Sequence, residues 1–487
     1  MLLLVYIVCG LLPLLLMLRR IPDAPKRANF LNALVIGQAA AYLAFSIGIR
    51  LLLPLPVYFL DRYFFIDSLA IYEIIIGSAV FLLAGCFSRG YVHGLLKAGE
   101  IAARELRLFY AAFSLLLMVV AFAFFSNNLA LFWIFLELTT ILSAVLIVTL
   151  NAKENILAAL KYVFTASTAM LFSVIGLIIL FAMTKHATGS GTLNWDLLMR
   201  QASDFSPALF TFAFVFIFVG FAAKAGIVPF HTWLPQAHAK APSVISVLLS
   251  AVLLNTGIYG IIRLNAIAHR TSSPRVISIS LIAFGVLSIV VAALSMLPRE
   301  NAKKLIAFSS IEHMGFILVG IGLGTPLALF WVLFHTLAHA LIKTLLFFSA
   351  GILHQQYGSN KFEDMKGALA LQPLAAWGLI VGSIAIIGIP PFPVFLSKLY
   401  ILTQLGNFSM VWLAIVLVFF LLVAAAIATI LIRALPEKAE REYTHYEVAM
   451  SMKLPMVILL AGILLLGVYV PSGFRQMLNG IVTSLGF

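Results

Sequence analysis

Three nitrogen-bearing side chains, His335, His339 and Lys343, recur at a spacing of four in the apolar stretch FHTLAHALIK, residues 334–343. Four residues of α-helix advance about 400°, so successive members are offset by about 40° and rise about 6 Å. The trio therefore forms one stripe about 12 Å long. Imidazole donates and accepts hydrogen bonds and titrates near neutrality. A lysine amine held out of water is a group that can load and release a proton. The stripe suits proton transfer along a helix face, and it equally suits a polar seam to neighbouring helices. Two histidines at i and i+4 also make half a metal site, but the sequence offers no evident third ligand.

Other ionisable side chains sit in apolar surroundings: Glu73, Glu137, Lys224, Glu312, His313 and Lys398. Charge at mid-membrane is costly, so such residues usually face a bundle interior and mark a pathway. Glu137 alone is divided between helix packing and transport. Lys224 is a candidate partner that would hold it ionised. Two of the lysines stand beside prolines. Pro229 follows Lys224 in KAGIVPFHTWLPQAHAKAPS, residues 224–243, and Pro390, Pro391 and Pro393 precede Lys398 in IGIPPFPVFLSK. A proline removes a backbone donor, and open backbone at membrane depth is tolerated only around a cavity or within protein. These are either ordinary kinks or paired breaks at transport sites.

The elements that must hold these groups are transmembrane helices. The chain is 63% hydrophobic and 10% charged, where soluble domains carry about a quarter charged residues. Apolar runs of about 20 residues recur from end to end. They give about fourteen spans: 2–18, 31–52, 68–87, 107–125, 128–150, 159–183, 207–228, 241–264, 275–297, 304–323, 326–350, 373–403, 410–434 and 453–472. The first lacks the basic start of a cleaved signal and ends at Arg19 and Arg20. The longest connections are 88–106, 184–206 and 435–452, too short for a separate soluble domain.

A net charge of +13 raises the question of nucleic acid, but its distribution answers otherwise. Connections after the odd-numbered spans, together with the span ends that border them, hold 20 of the 31 Lys and Arg. That asymmetry puts them on the cytoplasmic side and both termini outside. Cys9 and Cys86 are isolated and cannot ligate an iron–sulfur cluster. No glycine-rich phosphate loop follows a strand. The sequence thus predicts no redox cofactor, metal or nucleotide site in this chain. The two proline breaks are five spans apart. They predict an all-α fold with two five-helix repeats, spans 4–8 and 9–13, which an odd number of spans inverts in the membrane. Broken spans 7 and 12 occupy matching places. The divisions are 1–106, 107–264, 275–434 and 435–487.

The run Lys224, Pro229, His231, Trp233, Leu234, Pro235, Ala237 and Pro242 resembles the signature of proton-conducting antiporter-like subunits. These occur in respiratory complex I, Mrp cation/proton antiporters and membrane-bound NiFe hydrogenases. KKLIAFSSIEHMG at 303–315, HTLAHALIK at 335–343 and GIPPFPVFLSK at 388–398 resemble further blocks in the same order, and RYFFIDSLA at 62–70 is similar to the family's third-span opening. The resemblance implies fourteen helices, two inverted repeats and a polar axis at the membrane midplane. It implies proton-transfer roles for Glu137, Lys224, His335, His339, Lys343 and Lys398, with Lys303, Glu312 and His313 as accessory groups. Two departures stand out. Span 8 carries Ser250 and Asn255 where many members have histidine or lysine, so that these side chains, with water, would be the accessory relay from Lys224 to the trio, and Asn301 stands where many have aspartate.

SSIEHMG, with Glu312 and His313, is most similar to the component F type of formate hydrogenlyase-related hydrogenases. The resemblance implies a proton-translocating subunit of a multisubunit membrane hydrogenase in a prokaryotic cytoplasmic membrane. Alternatives are an Mrp-type sodium/proton antiporter subunit and an antiporter-like subunit of complex I. NiFe and iron–sulfur centres would then belong to partner subunits. The partners would be those subunits, lipid, and protons or sodium.

Overall fold

The computed structural model describes residues 2–150, 152–271, 274–434, 443 and 445–487. In hydrocarbon every backbone donor and acceptor must be satisfied within the chain, and helices do this segment by segment. The apolar runs accordingly fold as helices. The first four are α1 (Leu2–Leu16), α2 (Ala24–Leu52), α3 (Ser68–Lys97) and α4 (Leu106–Phe125). Next come α5 (Leu129–Val148), α6 (Lys153–Thr188), a short α7 (Trp195–Gln201), α8 (Pro207–Ala225) and α9 (Leu234–Lys240). Then α10 (Ser243–Leu248) runs through a π-helical turn, Leu249–Leu253, into α11 (Leu254–His269), followed by α12 (Pro274–Met296), α13 (Ala302–Leu323) and α14 (Pro326–Tyr357). The chain closes with α15 (Ala368–Leu371), α16 (Pro373–Ile387), α17 (Pro393–Phe408), α18 (Met410–Ala434), α19 (Met450–Val468) and α20 (Ser472–Ser484).

The molecule is an all-α polytopic membrane protein. Among the described residues, twelve helical segments are long and apolar enough to cross a membrane, the α10–α11 run counting as one. α1 and α16 are shorter apolar helices. Span 12 is broken where its prolines lie: α16 ends at Gly388, which adopts φ 89°, and α17 starts at Pro393. Span 7 stops at Ala225, earlier than expected, with Gly226 at φ 71°. Positive φ is free of penalty only for glycine, so both breaks are written at these residues. Half of the expected connection 435–452 lies outside the described residues.

The sequence reading missed a small hairpin, in which Val57–Phe59 pairs antiparallel with Phe64–Ile66. Its turn holds Leu60, Asp61 and Arg62 at positive φ. Arg62 lies 4.2 Å over the Tyr58 ring and pairs with Asp196 of α7. Polar residues start several helices by accepting orphan backbone donors. Asp67 accepts from Ala70 N at 2.9 Å, and Asn301 from Lys304 N at 3.1 Å.

Burial separates a centre from a rim. All of the apolar cores of α10–α11 and α13 are buried, and 89% of α14, against 22% of α18 and 28% of α19. α12 and α13 approach backbone to backbone at Gly285 and Gly315, where an added Cβ on either would meet the other's carbonyl oxygen at 2.6 or 2.7 Å. Small residues at such crossings let membrane helices pack closely. The terminal helix α20 lies across several elements. Its Phe474 packs against Tyr72 of α3 and Phe334 of α14, at ring separations of 6.4 and 6.3 Å. Phe487, just beyond it, lies 4.7 Å from His269 at the end of α11.

Candidate functional site

The stripe predicted on α14 exists, and all three members are fully buried. What it faces is α13. Lys343 donates to the Ile306 carbonyl at 2.7 Å and to Ser309 Oγ. His313 Nδ1 lies 2.8 Å from His335 Nε2, and His313 Nε2 lies 3.1 Å from the Ile386 carbonyl. A carbonyl only accepts, so His313 carries its proton on Nε2. A neutral His313 then accepts at Nδ1 from His335. On its other side His335 Nδ1 meets Ser397 Oγ of α17 at 2.7 Å. His339 makes no hydrogen bond through either ring nitrogen, but its ring sits 5.4 Å from that of His313.

Beside this row, Lys398 donates to Glu312 Oε1 at 3.1 Å and to the Ile387 carbonyl at 3.3 Å. Its ammonium lies 3.9 Å over the Phe420 ring, which adds a cation–π attraction. Glu312 Oε2 lies 3.1 Å from His313 Nε2 without a hydrogen bond, because that N–H points at Ile386. The free end of α16, opened by the break before Pro391, supplies the Ile386 and Ile387 carbonyls that hold His313 and Lys398. Glu312 and His313 are therefore members of one cluster with Lys398, His335 and Ser397.

In the other half, Lys224 and Glu137 form no direct ion pair. Fully buried Lys224, in the last turn of α8, donates to Thr140 Oγ1 at 2.8 Å and Tyr162 OH at 3.4 Å. Glu137 accepts from Ser167 Oγ of α6. Thr140 follows Glu137 by three residues and so stands on the same face of α5. Lys224 thus takes hydroxyl partners, and Glu137 a serine, where the sequence alone suggested contact between the two. Beyond the break at Pro229, Val228 N donates to Ser288 Oγ at 3.1 Å, and Trp233 Nε1 donates to the Ala223 carbonyl at 3.0 Å. The half-buried His231 places its Nδ1 in the protein without a partner.

Span 8 separates its two polar residues. Ser250, inside the π-helical turn, meets Ser310 Oγ of α13 at 2.9 Å. Ser310 adjoins Ser309, the partner of Lys343. Asn255 instead turns toward Glu73 of α3, and neither its amide atoms nor Glu73 Oε1 completes a hydrogen bond. Five residues of helix rotate about 140° off one face, so only one of the two can face α13, and it is Ser250. Among the described residues, no hydrogen bond joins the Lys224 group to the Lys343 group. Lys303, expected near the surface, is 3% exposed and donates to the Ala241 carbonyl at 3.2 Å.

One residue was missed. His238 of α9 is fully buried, both ring nitrogens are unpartnered, and the ring stacks on Phe347 of α14 at 4.9 Å. Phe347 is one helical turn from Lys343, so His238 adjoins the Lys343 group. Its sequence signal was available, a histidine seven residues beyond the one at 231 in a broken span. Together these side chains make two sets of buried acids, amines and imidazoles. Among the described residues, no group of three or more His, Cys, Asp or Glu side chains is placed to hold a metal ion.

Comparison with known proteins bears on what such a line serves. The family model described as NADH:quinone oxidoreductase/Mrp antiporter, TM matches residues 126–428. The chain is 31% identical over 344 residues to a hydrogenase-4 component F homolog of Methylacidiphilum infernorum, covering 70% of this chain and 72% of that protein. In structure it resembles a chain of the membrane-bound sulfane sulfur reductase, an archaeal respiratory membrane complex, with TM-score 0.87, 24% identity and coverage of 99% and 96%. It also resembles a chain of respiratory complex I from Thermus thermophilus, with TM-score 0.80, 19% identity and coverage of 99% and 100%. These two likenesses are of fold.

Proposed function

Because the chain belongs to the NADH:quinone oxidoreductase/Mrp antiporter transmembrane family, we propose that it is the proton-translocating subunit of a multisubunit, energy-converting membrane hydrogenase or related redox complex. The observation that carries this reading is the buried row inside an apolar bundle, in which Glu312–Lys398 and His313–His335 lie within hydrogen-bonding reach and His339 and Lys343 continue the stripe along α14. A purely structural seam needs no such density of titratable groups, and each is costly at membrane depth.

In this reading 107–264 and 275–434 are inverted repeats, 1–106 and 435–487 flank them, and about fourteen helices cross the membrane. Glu137 with Lys224 and Glu312 with Lys398 are equivalent pairs, the first open and the second closed. Both termini face outward. A proton enters an imidazole at one nitrogen and leaves from the other, so His335 and His313 move charge by tautomer exchange without displacement. Lys224, Lys343 and Lys398 act as loading stations. Partner subunits carry the redox centres, and this chain's own residues hold and move protons only.

The test is proton uptake by inverted vesicles carrying the whole complex. Lys224→Ala and Lys343→Ala each lower pumping by about tenfold or more while the complex still assembles. Pumping at the wild-type rate in both assembled variants removes the lysines from the mechanism and the reading with them.

A further inference from the structure

A polar cavity of about 500 Å³ opens on the side of the basic connections, away from the row on α13 and α14. Its walls come from the chain segments that follow α3, α5, α9, α12 and α14. Glu100 is the one carboxylate among the described lining residues, which also include Tyr91, Lys240, Lys303 and His354 as titratable groups. Glu100 Oε2 lies 3.5 Å from His354 Nε2. The contact with the His354 imidazole holds the Glu100 carboxyl below the usual carboxylate range. Glu100 is thus ionised at neutral pH and open to the cytoplasmic water.

The inner end of the cavity is Lys303, a buried amine whose hydrogen bond goes to the Ala241 carbonyl. Asn301, the neighbouring polar residue, is uncharged and its side chain caps α13. The acid that faces Lys303 is therefore Glu100. Asn360 Oδ1 and His354 Nδ1 point into buried space with no protein partner. Buried polar atoms left over in a roomy polar cavity are where ordered water belongs. Ala241 closes α9, and α9 carries His238, which stacks on Phe347 one turn from Lys343. The cavity therefore leads from the surface toward the centre of the row.

We propose that this cavity is the cytoplasmic intake of the proton line, with Glu100 collecting each proton and Lys303 receiving it. The proton leaves water for the Glu100 carboxylate, then leaves that carboxylic acid for the neutral amine of Lys303. The carboxylate is restored and an ammonium forms. The step needs no co-reactant. It rests on the proton-translocating reading above.

The experiment uses vesicles with the complete complex. Glu100→Gln lowers the pumping rate by about tenfold or more, and Glu100→Asp keeps most of it. Asn360→Cys, in a background of Cys9→Ser and Cys86→Ser, reacts with a membrane-impermeant maleimide in inverted vesicles and not in right-side-out ones. Pumping at the wild-type rate in Glu100→Gln, while Lys224→Ala and Lys343→Ala are impaired, overturns the intake and leaves the functional reading standing. Normal pumping in all three overturns the functional reading itself. Labelling only in right-side-out vesicles also overturns the intake. Where Glu100→Gln fails to assemble, Asn360→Trp fills the cavity without removing a titratable group, and wild-type pumping in it overturns the intake.

Discussion

The Glu312–Lys398 pair is where single atoms decide most. Both partners are almost wholly buried. Removing one charge of a buried pair strands the other, at a cost of about 3–5 kcal/mol, whereas replacing both by apolar groups is often close to neutral. Glu312→Gln should therefore lower the thermal stability of the assembled complex, and adding Lys398→Met should restore it. Neither variant should pump, since stability and proton transfer depend on the pair differently. Melting and pumping measured on the same preparations check this, and a double variant that pumps normally would remove the pair from the line. At this scale the α14 stripe was legible, because helical period fixes which residues share a face. The partners were not. That Lys224 takes Thr140 and not Glu137 as its partner, and that His313 clasps His335, depends on how α5, α8, α13 and α14 turn toward each other, which spacing within one helix does not encode.

Helix crossings set those rotations. At Gly285 and Gly315 the backbones of α12 and α13 meet so closely that any side chain collides with main chain rather than with a yielding side-chain end. Gly315→Val should cost about 3 kcal/mol by overpacking and shift His313, two residues away, off His335. The measurement is the melting temperature together with pumping in whatever protein assembles; an unchanged pair of values would show that the crossing relaxes freely. Within span 8, Ser250→Leu removes the hydroxyl that meets Ser310 and should slow pumping by about tenfold, a barrier of about 1.4 kcal/mol. Asn255→Leu should do less, because Asn255 faces Glu73 and not α13; equal losses in both would mean that the two residues share one path. Span positions were readable from apolar length. The break between α16 and α17 was readable from its prolines; the π-helical turn and the hairpin at 57–66 were not, because each is fixed by neighbours: Ser310 across from Ser250, and Arg62 on Asp196.

For the whole molecule, charge asymmetry orients the helices. A reporter enzyme that folds only outside the cytoplasm should be active when fused after Phe487 and inactive when inserted after Glu100; the reverse pattern would invert the topology and place the intake cavity on the wrong face. Composition made the membrane class plain, and the paired proline breaks hinted at duplicated halves, but nothing in composition told of α20. That helix seats Phe474 against α3 and α14 and brings Phe487 against His269 of α11. Tyr72 adds a hydrogen bond to the Leu333 carbonyl, 2.5 Å long, between α3 and α14. Three parts of the bundle are thus lashed together at one end. Carriers of solutes commonly rock one half against the other to expose a site alternately to either side. A molecule braced like this one has little room to swing, and under the proposed function its cargo is one small enough to be handed from side chain to side chain within a stationary frame.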